Sequence, residues 1–519
     1  MRDSQMKYNG PIAVIDVGSH FARLEIVQIV DDGNSFELLE SLTQVIPLGL
    51  DVFTKGRISS GNMILVGKVL KDFYRVLREY KIKHYKGVAT SAVREAANSE
   101  IFIDRVKRIS GIELKVLEPA EEARIMFLTL EKNIGDQFSF REKNSMVCSI
   151  GTGNTRVSFI EKGMLKSTEA VRIGSLRLVE ELEKPMSARQ LKVAIKPFVD
   201  TEAKAVLSQS TIDLNDILVI GMGSSVRAFL KFNDKINPGK ESQVLTLSKK
   251  EFQEIYGIVS ELSPSDIANK YNLSDTLAQC IEPSCCILFH FFNETNADKI
   301  IIPLMSTRDA LIYDFINEIG NVEDPFTPQL FSCVRALGDR YKYDSKHAES
   351  VAKAAVAIFD KTSYLHGLNS KKNRELLQIS ALLHDIGLYV NTRKHHKHSY
   401  YLIKNSQVPG LLSEDINIVA TIARYHRRAF PKNSHLEYST LSSKNKVLVS
   451  SLSAILRIAD ALEFTQGSDI THIKVNHRKQ NIEIILDGDV DLTLESWTIR
   501  NKANLFKEIF GYKVRLTGK

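Results

Sequence analysis

A chain of 519 residues, 43% apolar and 25% charged, has enough apolar material for roughly three or four domains with buried cores. No apolar run reaches the ~18 residues that span a bilayer and the N-terminus has no signal-like apolar segment, so the expectation is a protein without a membrane partner. Five cysteines (Cys148, Cys280, Cys285, Cys286 and Cys333) form no C-x-x-C pair, which argues against a zinc–thiolate site and for a reduced, cytoplasmic protein. The net charge of +7 is concentrated: between Thr392 and Lys446 ten Lys/Arg face three Asp/Glu. That marks a polyanion-facing surface, or else a solvated basic face.

In chain order, Pro11–Asp16, Arg23–Ile29 and Phe36–Gln44 alternate like strands, Asn62–Tyr80 has helical spacing and Tyr85–Thr90 reads as a buried strand. A helix over Glu100–Ile109, a strand over Leu114–Leu117 and a helix over Glu121–Leu130 complete a first half. The order then repeats, with strands at Met146–Ile150, Thr155–Glu161 and Leu165–Ala170, a helix at Ala188–Ser208 and a strand at Ile217–Ile220. Three of thirteen histidines precede residue 320 and ten follow it, and the later chain reads as helical to about Phe464. Strands at Ile470–Val475 and Ile482–Leu486, a helix at Leu494–Phe510 and a strand at Lys513–Leu516 close the chain. The expected domains are 1–130, 131–320, 321–466 and 467–519: two α/β halves with mixed sheets, an all-α domain and a small α+β appendage.

The most informative feature is a repeat. Ile15-Asp16-Val17-Gly18-Ser19-His20-Phe21-Ala22-Arg23-Leu24 returns as Cys148-Ser149-Ile150-Gly151-Thr152-Gly153-Asn154-Thr155-Arg156-Val157. Each copy is a strand, a glycine turn with exposed amides and a returning strand with Arg five residues past the first glycine, a geometry that can cradle phosphate oxygens. Two copies imply a duplicated domain with a phosphate cleft between the halves. Ser91 and Arg94, at the start of a helix after a strand, make a second anion site or an ordinary N-cap. Glu121 and Glu122 either favour the helix dipole or place a general base in the cleft. Gly221 and Gly223 after a strand are a weak phosphate-loop signal.

Together these segments resemble the exopolyphosphatase / guanosine pentaphosphate phosphohydrolase (Ppx/GppA) family of the actin-like ATPase superfold, above all through Ala89–Ala96 and Glu121–Arg124. The resemblance implies a phosphoanhydride hydrolase that releases orthophosphate from the ends of inorganic polyphosphate, or removes the 5′-γ-phosphate of pppGpp, with Mg²⁺, as a homodimer. It implies Glu122 as water-activating base, with Asp16 and Arg94 beside it. Gly18, Ser19, Arg23, Ser91, Ser149, Gly151, Thr152, Gly153, Asn154, Arg156, Gly221 and Gly223 would bind phosphate, and Asp16 would hold Mg²⁺. Four departures matter: His20 and Phe21 replace Asn and Ser/Thr of the family's first turn, Ser149 replaces Asp, and Arg156 replaces Glu. The last two remove two negative charges and add a positive one, taking a hard ligand from a Mg²⁺ site.

In the later chain His347, His384-Asp385 and Asp460 follow the order H…HD…D of the HD phosphohydrolase superfamily, whose imidazoles and carboxylates hold a divalent metal. His395, His396, His398 and His426 lie between as further ligands or anion contacts. In the resembled family this domain is structural, so a vestigial site is the other reading. Lys394, Lys397, His398, Arg427 and Arg428 mix with aromatic residues as a channel for a polyanion. Polyphosphate is preferred there to nucleic acid because of the resemblance. Two alternatives to the exopolyphosphatase reading stand: an HD-type metal phosphohydrolase with a degenerate actin-like half, and a catalytically weak polyphosphate- or alarmone-binding regulator.

Overall fold

Strand β1 (Pro11–Val17) carries one polar side chain, Asp16, and is buried along nearly its whole length. Such a run needs cover on both faces. Ala13, Ile15 and Val17 pack into a core with Val66, Leu70 and Phe102, from the helices Ser60–Glu79 and Ser99–Ser110. On the other face Ile12 and Val14 meet Ile125, Leu311 and Ile312, from the helices Pro119–Ile134 and Thr307–Gly320. The computed structural model describes residues 8–33, 35–183, 188–210, 212–232, 244–320, 322, 324–462, 470–476, 480–486 and 493–518. The chain divides into two units, 1–329 and 330–519.

In the first unit β2 (Phe21–Val30), β3 (Ser35–Val45), β4 (His84–Ala89) and β5 (Lys115–Val116) join β1 in a sheet of order β3-β2-β1-β4-β5. The first three are antiparallel neighbours, and β4 and β5 run parallel to β1. The second sheet uses β6 (Asn144–Ile150), β7 (Thr155–Glu161), β8 (Met164–Val171), β9 (Ile217–Met222), β10 (Val244–Ser248) and β11 (Lys299–Pro303) in the order β10-β11-β9-β6-β7-β8. Its β8-β7-β6-β9-β11 portion repeats the first sheet, down to the antiparallel meander and the parallel strands beyond it. The antiparallel edge strand β10 is the addition.

The second unit is largely helical, with long helices at Ser345–Lys361, Lys371–Leu383, Ser413–Arg424 and Ser443–Leu462. It ends in a three-stranded sheet of β12 (Ile470–Asn476), β13 (Asn481–Leu486) and β14 (Lys513–Gly518). The single helix expected at 494–510 is two, Thr493–Lys502 and Asn504–Phe510. The strand expected over Leu114–Leu117 is only Lys115–Val116. The helix Leu48–Lys55, between Pro47 and Gly56, was not anticipated, since its short run sits between two turn-forming residues. Nor were β10 and β11, or the helix Asp275–Asn293, which is buried on most of its surface and so lacks a polar stripe to set its period. The expected helix end at Phe464 and the boundary at 466 fall outside the described residues. Among the described residues no helix is long and apolar enough to cross a membrane, and all five cysteines are buried.

Candidate active site

The repeat read from the sequence is also a repeat in register. Asp16 pairs with Arg23 across β1 and β2, and Ser149 pairs with Arg156 across β6 and β7. The glycine turn follows each first strand, and the two turns meet. A Cβ on Gly153 would stand 2.7 Å from Ser91 Oγ, 2.8 Å from the Phe53 ring and 3.3 Å from Ser19 Oγ. A side chain there would have to displace the Ser91 hydroxyl and the Phe53 ring, so the second turn closes against the first turn and the Ser91 segment. Ser91 does not cap its short helix; its hydroxyl lies 3.1 Å from that of Ser19.

A cleft of about 240 Å³ opens between the turns. Its lining includes the predicted Asp16, Gly18, Ser19, Arg23, Ser91, Glu122, Ser149, Gly151, Thr152, Gly153, Asn154, Arg156 and Gly223. Two predicted residues are placed elsewhere. Gly221 lies within β9, where a Cβ would meet Leu288, Val226 and Ile300, so its small size serves helix–sheet packing. Arg94 stands behind Glu122, donating to the Leu117 carbonyl and, at 2.9 Å, to Glu122 Oε1. Sequence reasoning missed Arg227 and Arg308, which also line the cleft. Arg227 follows the Gly223-Ser224-Ser225 signal by two residues, whereas Arg308 follows a strand that was itself unrecognised and carried no signal.

Two carboxylates face four guanidiniums in this lining, so the cleft is net positive. In the first copy Asp16 and Arg23 form their own ion pair at 3.6 Å. Ser149 offers Arg156 no such partner, and Arg156 crosses to bond Glu122 Oε2 instead. Glu122, about 10% exposed, is thus held through both oxygens. Burial alone would raise its pKa, but Arg156 and then Arg94 outweigh burial and hold it below the usual carboxylate range. Asp16 goes the other way: burial, opposed by Arg23 and Arg308 and aided by Glu122, leaves it above the ordinary value. Burial first, and repulsion from Arg308 next among the opposing charges, lowers Arg23; the same pair of causes lowers Arg227. Guanidiniums crowded against one another in this way are relieved by an anion between them. At the replaced positions of the first turn, Phe21 lines the cleft with the Arg23 guanidinium 4.6 Å over its ring. Burial lowers the pKa of His20 and so favours its neutral form.

These residues do not make a Mg²⁺ cage by themselves. Asp16 is paired, both oxygens of Glu122 are taken, and among the described residues the His/Cys/Asp/Glu groups close enough to share a cation lie in the second unit.

The profile of the Ppx/GppA phosphatase family matches residues 26–318, more than half of the chain, and that of Ppx/GppA phosphatase domain III matches 331–503. The chain belongs to the Ppx/GppA phosphatase family. Its class is accordingly that of a phosphoanhydride hydrolase. Among curated relatives, a guanosine-5′-triphosphate,3′-diphosphate pyrophosphatase of Vibrio parahaemolyticus is 22% identical over 92% of this chain and 90% of that protein. One of the same name from Aeromonas salmonicida is 24% identical over 89% and 90%. The crystal structure of the Aquifex aeolicus Ppx/GppA family member aligns with a TM-score of 0.50 at 22% identity, covering 60% of this chain and 98% of that one. An exopolyphosphatase of Cytophaga hutchinsonii gives 0.51 at 21% identity, with 60% and 99% covered. These likenesses carry the actin-like fold.

In the second unit of this Ppx/GppA protein, His347, His384, Asp385 and Asp460 come together. His347 Nε2 lies 3.9 Å from both Asp385 Oδ2 and Asp460 Oδ1, and His384 Nε2 lies 3.5 and 3.8 Å from the same atoms. Burial would raise Asp385, but His384, His395 and His426 hold it well below the carboxylate range. Burial, then the charge of His384, pushes His426 down to about 3. Lys394, Lys397 and Arg428 are exposed, and His398 and Arg427 half-buried, on the same unit.

The touching turns give a first test. Gly153→Ala places a methyl group where Ser91 Oγ and the Phe53 ring now sit, an overpacking cost of about 1–3 kcal/mol. The expected result is a KM for the phosphate substrate raised about tenfold, with kcat less affected, measured by steady-state phosphate release.

Proposed function

We propose that the protein hydrolyses the terminal phosphoanhydride bond of inorganic polyphosphate in the cleft of its first unit, with Glu122 as the base. The observation that carries this reading is a single carboxylate held by two guanidiniums in a net positive cleft between two facing glycine turns. The terminal phosphate enters between the turns, where amides of Ser19 and Thr152–Gly153 and the hydroxyls of Ser19 and Ser91 receive its oxygens, while the Gly18 and Gly151 amides close their own turns on the Phe21 and Asn154 carbonyls. Arg156 transfers from Glu122 to the phosphate, so the substrate itself frees the carboxylate. Water attacks the terminal phosphorus and gives its proton to Glu122. The new P–O bond forms as the bridging P–O bond breaks, and the leaving oxygen departs as the end of a chain one phosphate shorter. Arg23, Arg227 and Arg308 balance the charge that gathers on the equatorial oxygens. Arg94 stays fixed by the Leu117 carbonyl and keeps Glu122 in position.

A second reading, removal of the 5′-γ-phosphate of pppGpp, is favoured by the names of the relatives. The chemistry and the cleft are the same, and only the leaving group differs. Phosphate release is measured from long-chain polyphosphate and from pppGpp, with and without Mg²⁺. Faster turnover of polyphosphate supports the first reading, and turnover of pppGpp alone replaces it with the second. Tight binding of either without turnover would make the protein a binding regulator.

A further inference from the structure

The helical unit gathers more ligand groups than one cation needs. His347 opens the helix Ser345–Lys361, with its amide on the capping Asp344. His384 and Asp385 follow the helix Lys371–Leu383 directly. His395 is the first residue of the helix His395–Lys404, His426 lies two residues beyond Ser413–Arg424, and Asp460 is in the last turn of Ser443–Leu462. Gly387 makes this convergence possible. A Cβ there would stand 2.2 Å from the His395 carbonyl oxygen and 2.3 Å from the Ser399 amide, so the His395 helix rests directly on the backbone next to Asp385.

The six side chains fall into two sets that share one carboxylate. Asp385 Oδ2 faces His347 and His384 at 3.9 and 3.5 Å. Asp385 Oδ1 faces His395 and His426 at 3.2 and 3.4 Å, and those two imidazoles approach each other to 3.2 Å through their Nε2 atoms. Within each of the two triads the ligand atoms lie within 4.8 Å of one another. Two ligands each ~2.1 Å from one ion stand ~3–4 Å apart, which is the spacing found in both sets. The rings are also oriented. His384 and His426 each bond a backbone carbonyl through Nδ1 at 2.7 Å, which leaves Nε2 to carry the lone pair toward Asp385. His384 is fully buried, and its Nε2 has no hydrogen-bond partner. Asp460 points Oδ1 toward the His347/His384 set, while Lys502 bonds Oδ2 and fixes its orientation.

We propose that the helical unit holds two divalent metal ions bridged by Asp385, one on His347, His384 and Asp460 and the other on His395 and His426. A set of four imidazoles and two carboxylates selects zinc, iron, cobalt or nickel over Mg²⁺. The site lies in the unit without the phosphate cleft, so its failure would leave the cleft reading intact.

The test uses the full chain, stripped with chelator, loaded with Co²⁺ in the presence of excess Mg²⁺ and desalted. Elemental analysis should find two equivalents of cobalt, with visible bands of an imidazole-bound ion. A His395→Ala/His426→Ala double variant should retain one equivalent, and Asp385→Ala less than one. The wild-type stoichiometry and spectrum need no variant to fold. Zero or one equivalent in the wild type overturns the proposal, as do two equivalents that survive Asp385→Ala.

Discussion

Glu122→Gln is expected to lower phosphate release by about 10²–10⁴-fold, the range for removing a general base. The amide keeps the volume of the side chain and an acceptor for Arg94 or Arg156, but takes no proton from water. It also leaves two guanidiniums facing a neutral group in a largely buried position. Breaking such a pair costs about 3–5 kcal/mol. Thermal melting is therefore measured beside activity, so that lost rate at a temperature where the variant is folded is assigned to chemistry. Unchanged release from a folded Glu122→Gln protein rules out the proposed base.

Arg156→Gln is expected to reduce kcat/KM by about 10²–10³-fold, as when one charge-stabilising donor is withdrawn. It also carries a pH signature with a defined sign. Glu122 is held below the ordinary range because Arg156 and Arg94 outweigh its burial. Without Arg156, burial gains weight and the pKa rises, so the acid limb of the kcat/KM profile moves to higher pH. The same linkage governs stability. A depressed carboxylate contributes stability that is present above its unfolded pKa and lost as pH falls through the folded one. Melting temperature in the wild type should therefore fall toward acid pH more steeply than in Arg156→Gln. A variant that turns over faster than wild type would show that Arg156 restrains the base rather than binding phosphate.

The departure at Ser149 and Arg156 shows what a motif conveys and what it omits. From the sequence, two lost carboxylates and one gained cation indicated a weakened metal site. The register places Arg156 opposite Ser149, as Arg23 stands opposite Asp16, and so explains why Arg156 is free to reach Glu122. Glu122 itself was ambiguous. Acids in the first turn of a helix are commonplace, and only the two guanidiniums converging on it distinguish it from Glu121, which pairs with Lys115. Gly221 failed for a related reason, because glycine after a strand marks close approach without saying what approaches.

The alternating and continuous apolar runs determined the duplicated strand–turn–strand halves, since burial on one or both faces of a sheet writes a period into the chain. Histidine content likewise marked the change to a helical second unit. Tertiary structure alone decided which charges meet. Glu122 and Arg156 are 34 residues apart, Asp16 and Arg308 lie on different elements, and Asp385 faces His395 and His426, which come from two other segments of the chain. Local sequence specifies the direction of a side chain from its own backbone. The partner it finds, and hence its protonation, is fixed only when distant elements pack and water is removed from between them.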